Sequence, residues 1–384
     1  MIHLFQRLVK EVIMRKAMKI IGVIILVIAA VAAALVIKGL IEAKKTSVKE
    51  DYYTGFSSSA PLEQKYSQPG GYEVSSFDDS SENATIKKVR FWYPSELESG
   101  EKKYPVIVVV NASGTPAFKY KPWFRRLASW GFIVVGNEDP QAGTGETTSI
   151  MLDYLLDLPK DHKLNGRLDI ENIGIVGFSQ GGAGALAAVT MYDNGTAYKT
   201  IFTGSAAYPF LAGNMGWKYD VSKITIPYFM AAGTGATDDK GVADITKEYA
   251  GVAPLASLVE NYETISDDVL KVRARATGAE HEDMLARSDG YMTAWMLWQL
   301  CGDEDAAEIF VGETAEILHS TIGRMWRRTN EQNSREKETY FIDRPCNLTG
   351  RSGGRRLAPY DTYANHRRCD PKTISRYCKH HKLL

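Results

Sequence analysis

The run Gly177-Phe178-Ser179-Gln180-Gly181 sets a serine hydroxyl in a pattern that can do nucleophilic chemistry. Ahead of it, Ile173-Gly174-Ile175-Val176 reads as a short strand. Behind it, Gly182-Ala183-Gly184-Ala185-Leu186-Ala187-Ala188 reads as the start of a small-residue helix. A serine on a sharp strand-to-helix turn stands above the sheet edge, and the flanking glycines let strand and helix approach without a Cβ clash. Serine is a poor nucleophile at its free pKa, so the pattern gains meaning only with a base and a carboxylate that orients the base. Both follow in order: Asp238 and Asp239, then His281.

In that arrangement His281 takes the Ser179 proton through one ring nitrogen, and a carboxylate holds the other. Residues 226–233 read as the strand whose end delivers the acid, and Gly233-Thr234-Gly235-Ala236-Thr237-Asp238 leads out of it. Asp238 stands closer to the strand exit and is favoured; Asp239 is the alternative acid. Residues 270–276 read as the next strand, ending at Thr277-Gly278-Ala279-Glu280-His281. Glu280 and Glu282 flank the histidine and read as a solvated loop face. An oxyanion hole needs two donors. One is the Gln180 N–H. The other belongs to Asn111-Ala112-Ser113-Gly114-Thr115-Pro116, after an apolar run at 106–110, with Gly114 and Thr115 as the candidates. The reaction these residues suit is carboxylic-ester hydrolysis through an acyl-Ser179 intermediate. The remaining histidines lack ligand spacing with acidic residues, so no metal and no cofactor is expected.

The elements that must position these groups alternate. Residues 104–110 and 132–135 read as buried strands, and residues 123–130 and 149–158 as helices. This alternation predicts an α/β fold, a mostly parallel central sheet with helices on both faces. Residues 85–94 read as an outer strand, and residues 95–103 as a solvated hairpin connection. Trp295 and Trp298 read as packing of the last helix on the sheet. Formal net charge is zero, with 46 basic and 46 acidic residues among 384, so a general nucleic-acid footprint is absent.

On the ordered set Ser179, Asp238 and His281, the chain resembles the α/β-hydrolase superfamily, and within it the dienelactone-hydrolase, chlorophyllase and cutinase-like serine esterases. The resemblance covers roughly residues 70–315. It implies an α/β-hydrolase domain at 81–318 acting on a small-molecule or lipid-like ester. The Asn111–Pro116 loop departs from the His-Gly forms common in such enzymes, and Ser179 replaces the cysteine nucleophile typical of dienelactone hydrolases. A membrane-tethered noncatalytic binding protein and an acyltransferase are the alternative readings.

The ends carry separate expectations. Residues 20–37 form an uncharged run bracketed by Lys19 and Lys38, long enough to cross a bilayer core as a signal anchor. That reading makes 1–45 a membrane anchor in contact with lipids and 46–80 a spacer. It places the catalytic domain on the extracytoplasmic side of a single-pass protein; secretion after signal cleavage is the alternative. Residues 319–384 read as a polar, basic tail without a buried period, holding Cys346, Cys369 and Cys378; Cys301 lies upstream.

Overall fold

Uninterrupted apolar runs such as Val106 to Val110 suit strands covered on both faces, and these runs form the centre of the sheet. A computed structural model describes residues 14–16, 18, 19, 21, 25, 26, 28–39, 45–56, 58–319 and 326–328. Two units separate along the chain, Met1–Ile342 and Asp343–Leu384, and every described residue belongs to the first.

The strands are β1 (Val74–Ser80), β2 (Lys88–Pro94), β3 (Tyr104–Val110), β4 (Ile133–Asn137), β5 (Leu168–Phe178), β6 (Tyr198–Gly204), β7 (Tyr228–Gly233), β8 (Lys271–Ala276) and β9 (Trp326–Arg328). They form one mixed sheet in the order β1-β2-β4-β3-β5-β6-β7-β8-β9. The neighbours from β4 through β3 to β8 are parallel; β1, β2 and β9 join antiparallel. This is an α/β architecture consistent with a broad α/β-hydrolase-like plan. The order reverses beside β3, which has β4 on one side and β5 on the other. Such a switch point opens a crevice at the carboxyl ends of the strands.

Alternation along the strands divides the interior into two cores. Ile107, Val109, Val134, Val176, Phe202 and Phe229 face one side, under the helices Lys121–Ala128 and Met284–Cys301. Val106, Val108, Val110, Val135, Ile175 and Ile201 face the other, under Glu146–Leu156, Gln180–Thr190 and Leu255–Thr264. Trp295 is buried, donates its indole N–H to Thr200 Oγ1 at 2.8 Å, and packs on Phe229 and Phe310. Trp298 stacks on Phe310.

Several expectations need correction. No helix among the described residues is long and apolar enough to cross a membrane. Residues 20, 22–24 and 27 of the expected 20–37 anchor lie outside the described residues. The membrane-anchor reading fails with this finding, and with it lipid contact through that helix and the single-pass, extracytoplasmic placement. The 46–80 stretch contributes the helix Pro61–Ser67 and the edge strand β1. β2 therefore lies inside β1 and pairs with β4, so residues 95–103 do not close a hairpin between β2 and β3. Of the 319–384 tail, Trp326–Arg328 adds β9 to the sheet; Cys346, Cys369 and Cys378 lie outside the described residues.

The lead-in is held by buried polar contacts. The Glu316 carboxylate accepts the N–H groups of Leu62 and Glu63, both at 2.7 Å, at the start of Pro61–Ser67. Asp289 forms an ion pair with Arg126 at 3.0 Å, each side chain only 2 % exposed. It also accepts Tyr52 O–H at 2.8 Å and Trp123 Nε1–H at 3.0 Å. Burial raises the Asp289 carboxyl above its ordinary value, against the opposing pull of Arg126. Asp289→Ala leaves the Arg126 charge buried without its partner, and is expected to lower stability by about 3–5 kcal/mol in urea unfolding. A loss below about 1 kcal/mol would contradict this role.

Candidate active site

The turn between β5 and the helix Gln180–Thr190 sets Ser179 at φ +56° and ψ −125°. A residue with a side chain in this region stores about 1–3 kcal/mol of strain, which the surroundings must hold. They do so from both sides: Ser179 N–H donates to Gly204 O at 3.0 Å, and Ser179 O accepts the N–H groups of Gly182 at 3.0 Å and Ala207 at 3.1 Å. The glycines are needed for contact reasons. A Cβ on Gly177 would overlap Gly181 O, and one on Gly181 would overlap Val110 O. Strand and helix therefore meet backbone to backbone beneath the serine. Ser179 is half-buried, and its hydroxyl makes no hydrogen bond to the described residues.

Parallel pairing brings the remaining groups to the same sheet edge. Phe178 is in register with Gly204, Gly204 with Ala231, and Gly233 with Ala276. Asp238 leaves the loop after β7 and is completely buried. Its Oδ1 accepts His281 Nδ1–H at 2.7 Å. Its Oδ2 accepts Gly233 N–H at 2.7 Å and the Ser205 hydroxyl. His281 is 20 % exposed on its side chain, and with Nδ1 on Asp238 its Nε2 has no hydrogen-bond partner among the described residues. Asp239 goes elsewhere: it pairs with Arg275 at 2.9 Å and accepts Gly241 N–H at 2.9 Å and Leu255 N–H at 3.1 Å. Arg275 also donates to Gly233 O at 2.6 Å and 3.1 Å, fixing the end of β7 from β8. Burial lowers the Arg275 guanidinium below its ordinary value, with Asp239 opposing.

The proposed donors divide. As the first residue of its helix, Gln180 has an N–H without an intrahelical acceptor. The Gly114 N–H already donates to Pro140 O, in the segment after β4, at 2.9 Å, and Thr115 N–H closes the loop's own turn on Ala112 O at 3.0 Å. Ser113, one residue earlier, has no backbone N–H acceptor among the described residues. Its Oγ bonds the Gln180 side-chain Oε1. A cavity of about 390 Å³, lined by Met191, Trp217, Lys218 and Tyr219 among others, sits at the far end of Gln180–Thr190 and includes none of these groups.

Sequence reasoning missed three contributors. Ser205 looks like an ordinary serine after a strand. Ser113 is hidden by the more suggestive Gly114. Glu280, read as solvated, has its carboxylate on Thr237 N–H at 2.9 Å, Ala236 N–H at 3.3 Å and the Thr237 hydroxyl at 2.5 Å. Thr237 Oγ1 in turn accepts His281 N–H at 2.7 Å. Glu280 thus ties the acid loop to the histidine loop. No family model matches this chain, and no curated protein matches it.

The Thr237 hydrogen bonds hold the Glu280 carboxyl below its usual value of 4.5. A depressed acid contributes stability above its unfolded pKa and loses it as pH falls through the folded value. In urea unfolding, the stability gap between the native chain and Glu280→Gln is expected to stay constant near neutrality. It should shrink as pH drops below about 4.5. A gap of the same size at about pH 7 and about pH 3 would contradict the contact.

Proposed function

We propose that the chain is a serine hydrolase that cleaves carboxylic esters, with a site of the α/β-hydrolase kind and a resemblance to dienelactone-hydrolase, chlorophyllase and cutinase-like esterases. One observation carries the reading: a fully buried carboxylate bonds the ring of His281 at 2.7 Å, at the sheet edge where Ser179 stands on a strained turn. The carboxylate holds the ring through Nδ1 and so leaves Nε2 as the nitrogen that can face Ser179.

The sequence of steps follows from those groups. Ser179 Oγ attacks the ester carbonyl carbon as its proton passes to His281 Nε2. Asp238 holds the tautomer and stabilises the imidazolium that forms. The carbonyl oxygen becomes an oxyanion, for which the free N–H groups of Gln180 and Ser113 are the available donors. Collapse breaks the bond to the alkoxy oxygen, which takes the proton from His281 and leaves as the alcohol. Water then attacks the acyl-Ser179 carbonyl, gives its proton to His281, and the carboxylic acid departs as Ser179 recovers its hydrogen. The Ser179 hydroxyl is not bonded to His281 in the free enzyme; such contacts commonly tighten only when substrate is bound.

The test is ester turnover by the full-length chain and three variants. Ser179→Ala and Asp238→Asn are expected to lose about 10³-fold or more in kcat while remaining folded. Asp239→Asn should keep kcat within about ten-fold, yet lose about 3 kcal/mol of folding stability as Arg275 loses its counter-charge. Full turnover by Ser179→Ala would sink the assignment of the nucleophile. A reversed ranking of the two aspartates would make Asp239 the acid. No turnover by the native chain would favour a noncatalytic binding role, and ester products formed with added alcohols would mark an acyltransferase.

A further inference from the structure

Ser205 follows the last residue of β6 and carries a φ of +45°. Among the described residues only Lys87, Ser179 and Ser205 have positive φ without being glycine. Ser205 is also buried, at 1 % exposure. Glycine would adopt this backbone freely, and a side chain there is disfavoured. The hydroxyl supplies a reason for the serine, since it donates to Asp238 Oδ2. The donor is anchored independently of Asp238, because Ser205 N–H bonds Ala231 O at 2.7 Å and so ties the end of β6 to β7.

Two donors converge on one oxygen of the carboxylate. Gly233 N–H reaches Oδ2 at 2.7 Å from behind the loop, and Ser205 reaches the same atom from β6. Oδ1 is left to His281 Nδ1 at 2.7 Å. Without Ser205, Oδ2 keeps a single backbone donor and the carboxylate plane is set largely by the His281 ring it should itself orient, about a terminal torsion that is broad. A second donor from a different strand fixes that plane.

We propose that Ser205 is a positioning residue for the esterase reaction: its hydroxyl sets the rotation of the Asp238 carboxylate, and through it the ring of His281. The inference rests on the functional reading given above. Ser205 acts two groups away from the substrate, so its loss lowers kcat and leaves substrate binding in place.

The experiment uses the full-length chain and p-nitrophenyl butyrate, with fluorophosphonate labelling rates for slow variants. Ser205→Gly removes the donor and relieves the backbone, two effects of opposite sign on stability, so the chain is expected to stay folded. Its kcat is expected to drop about ten-fold with KM within about two-fold. Ser205→Cys keeps a weak donor and should fall between the two. Added to Asp238→Asn, Ser205→Gly should slow labelling no further, since the group it works through is already disabled. Full kcat in Ser205→Gly overturns the proposal, as does an equal loss in both backgrounds. Should Ser205→Gly fail to fold, Ser205→Cys decides, and an unchanged kcat or a purely raised KM overturns it. An inactive native chain, unlabelled at Ser179, removes the esterase reading and this inference together. A native chain silenced by Ser179→Ala but untouched by Ser205→Gly removes this inference alone.

Discussion

A carboxylate with no exposed surface has lost its water and must recover hydrogen bonds from the protein. Asp238 is that carboxylate, and its donors come from three separate strand ends: Ser205 after β6, Gly233 at the end of β7, and His281 beyond β8. Each donor is useful only if the strand before it stops at the right level. The parallel register supplies this, with Gly204 level with Ala231 and Gly233 level with Ala276. The sheet edge and the buried acid therefore impose the same requirement on the chain. A strand displaced by one residue would turn its side chains to the opposite face and strip Asp238 of a partner.

Ser179 depends on the same edge. Its N–H is held by Gly204 O, the residue just before Ser205, so one short piece of β6 contacts both the Ser179 turn and the Asp238 carboxylate. The close approach of Gly177 and Gly181 then leaves room for the turn but for no side chain. Strain at Ser179 and Ser205 is sustained because each is fixed by hydrogen bonds from a neighbouring strand. On the histidine side, Glu280 and Thr237 bond the two loops together, while Asp239 and Arg275 fix the base of the acid loop.

Much of this was legible because it rests on pattern. Continuous apolar runs announced β3 and β4, the short run Ile173-Gly174-Ile175-Val176 announced the end of β5 but not its polar start, and the spacing of glycines about Ser179 announced a backbone contact that side chains forbid. Ser205, Ser113 and Glu280 carried no such signal. Their roles come from long-range partners, and a serine or glutamate in a loop reads the same whether it meets water or a buried neighbour. β1 was hidden for a related reason: Val74-Ser75-Ser76-Phe77-Asp78-Asp79-Ser80 is an edge strand, half-exposed and polar, and sits in a Ser- and Gly-rich lead-in. Gly114 and Thr115 were suggested by position after β3, but both N–H groups are taken, Gly114 by Pro140 O after β4 and Thr115 by Ala112 O within the loop. The anchor reading rested on hydropathy alone, and no helix among the described residues is long and apolar enough to cross a membrane.

The central claim is that Ser179 becomes covalently acylated. The full-length chain, treated briefly with an activated ester and quenched in acid, can be digested and its peptides weighed. One acyl group is expected, on the peptide containing Gly177-Phe178-Ser179-Gln180-Gly181, disappearing with time as water completes the cycle. An acyl group that accumulates on another residue, or none on that peptide while ester is consumed, would contradict it.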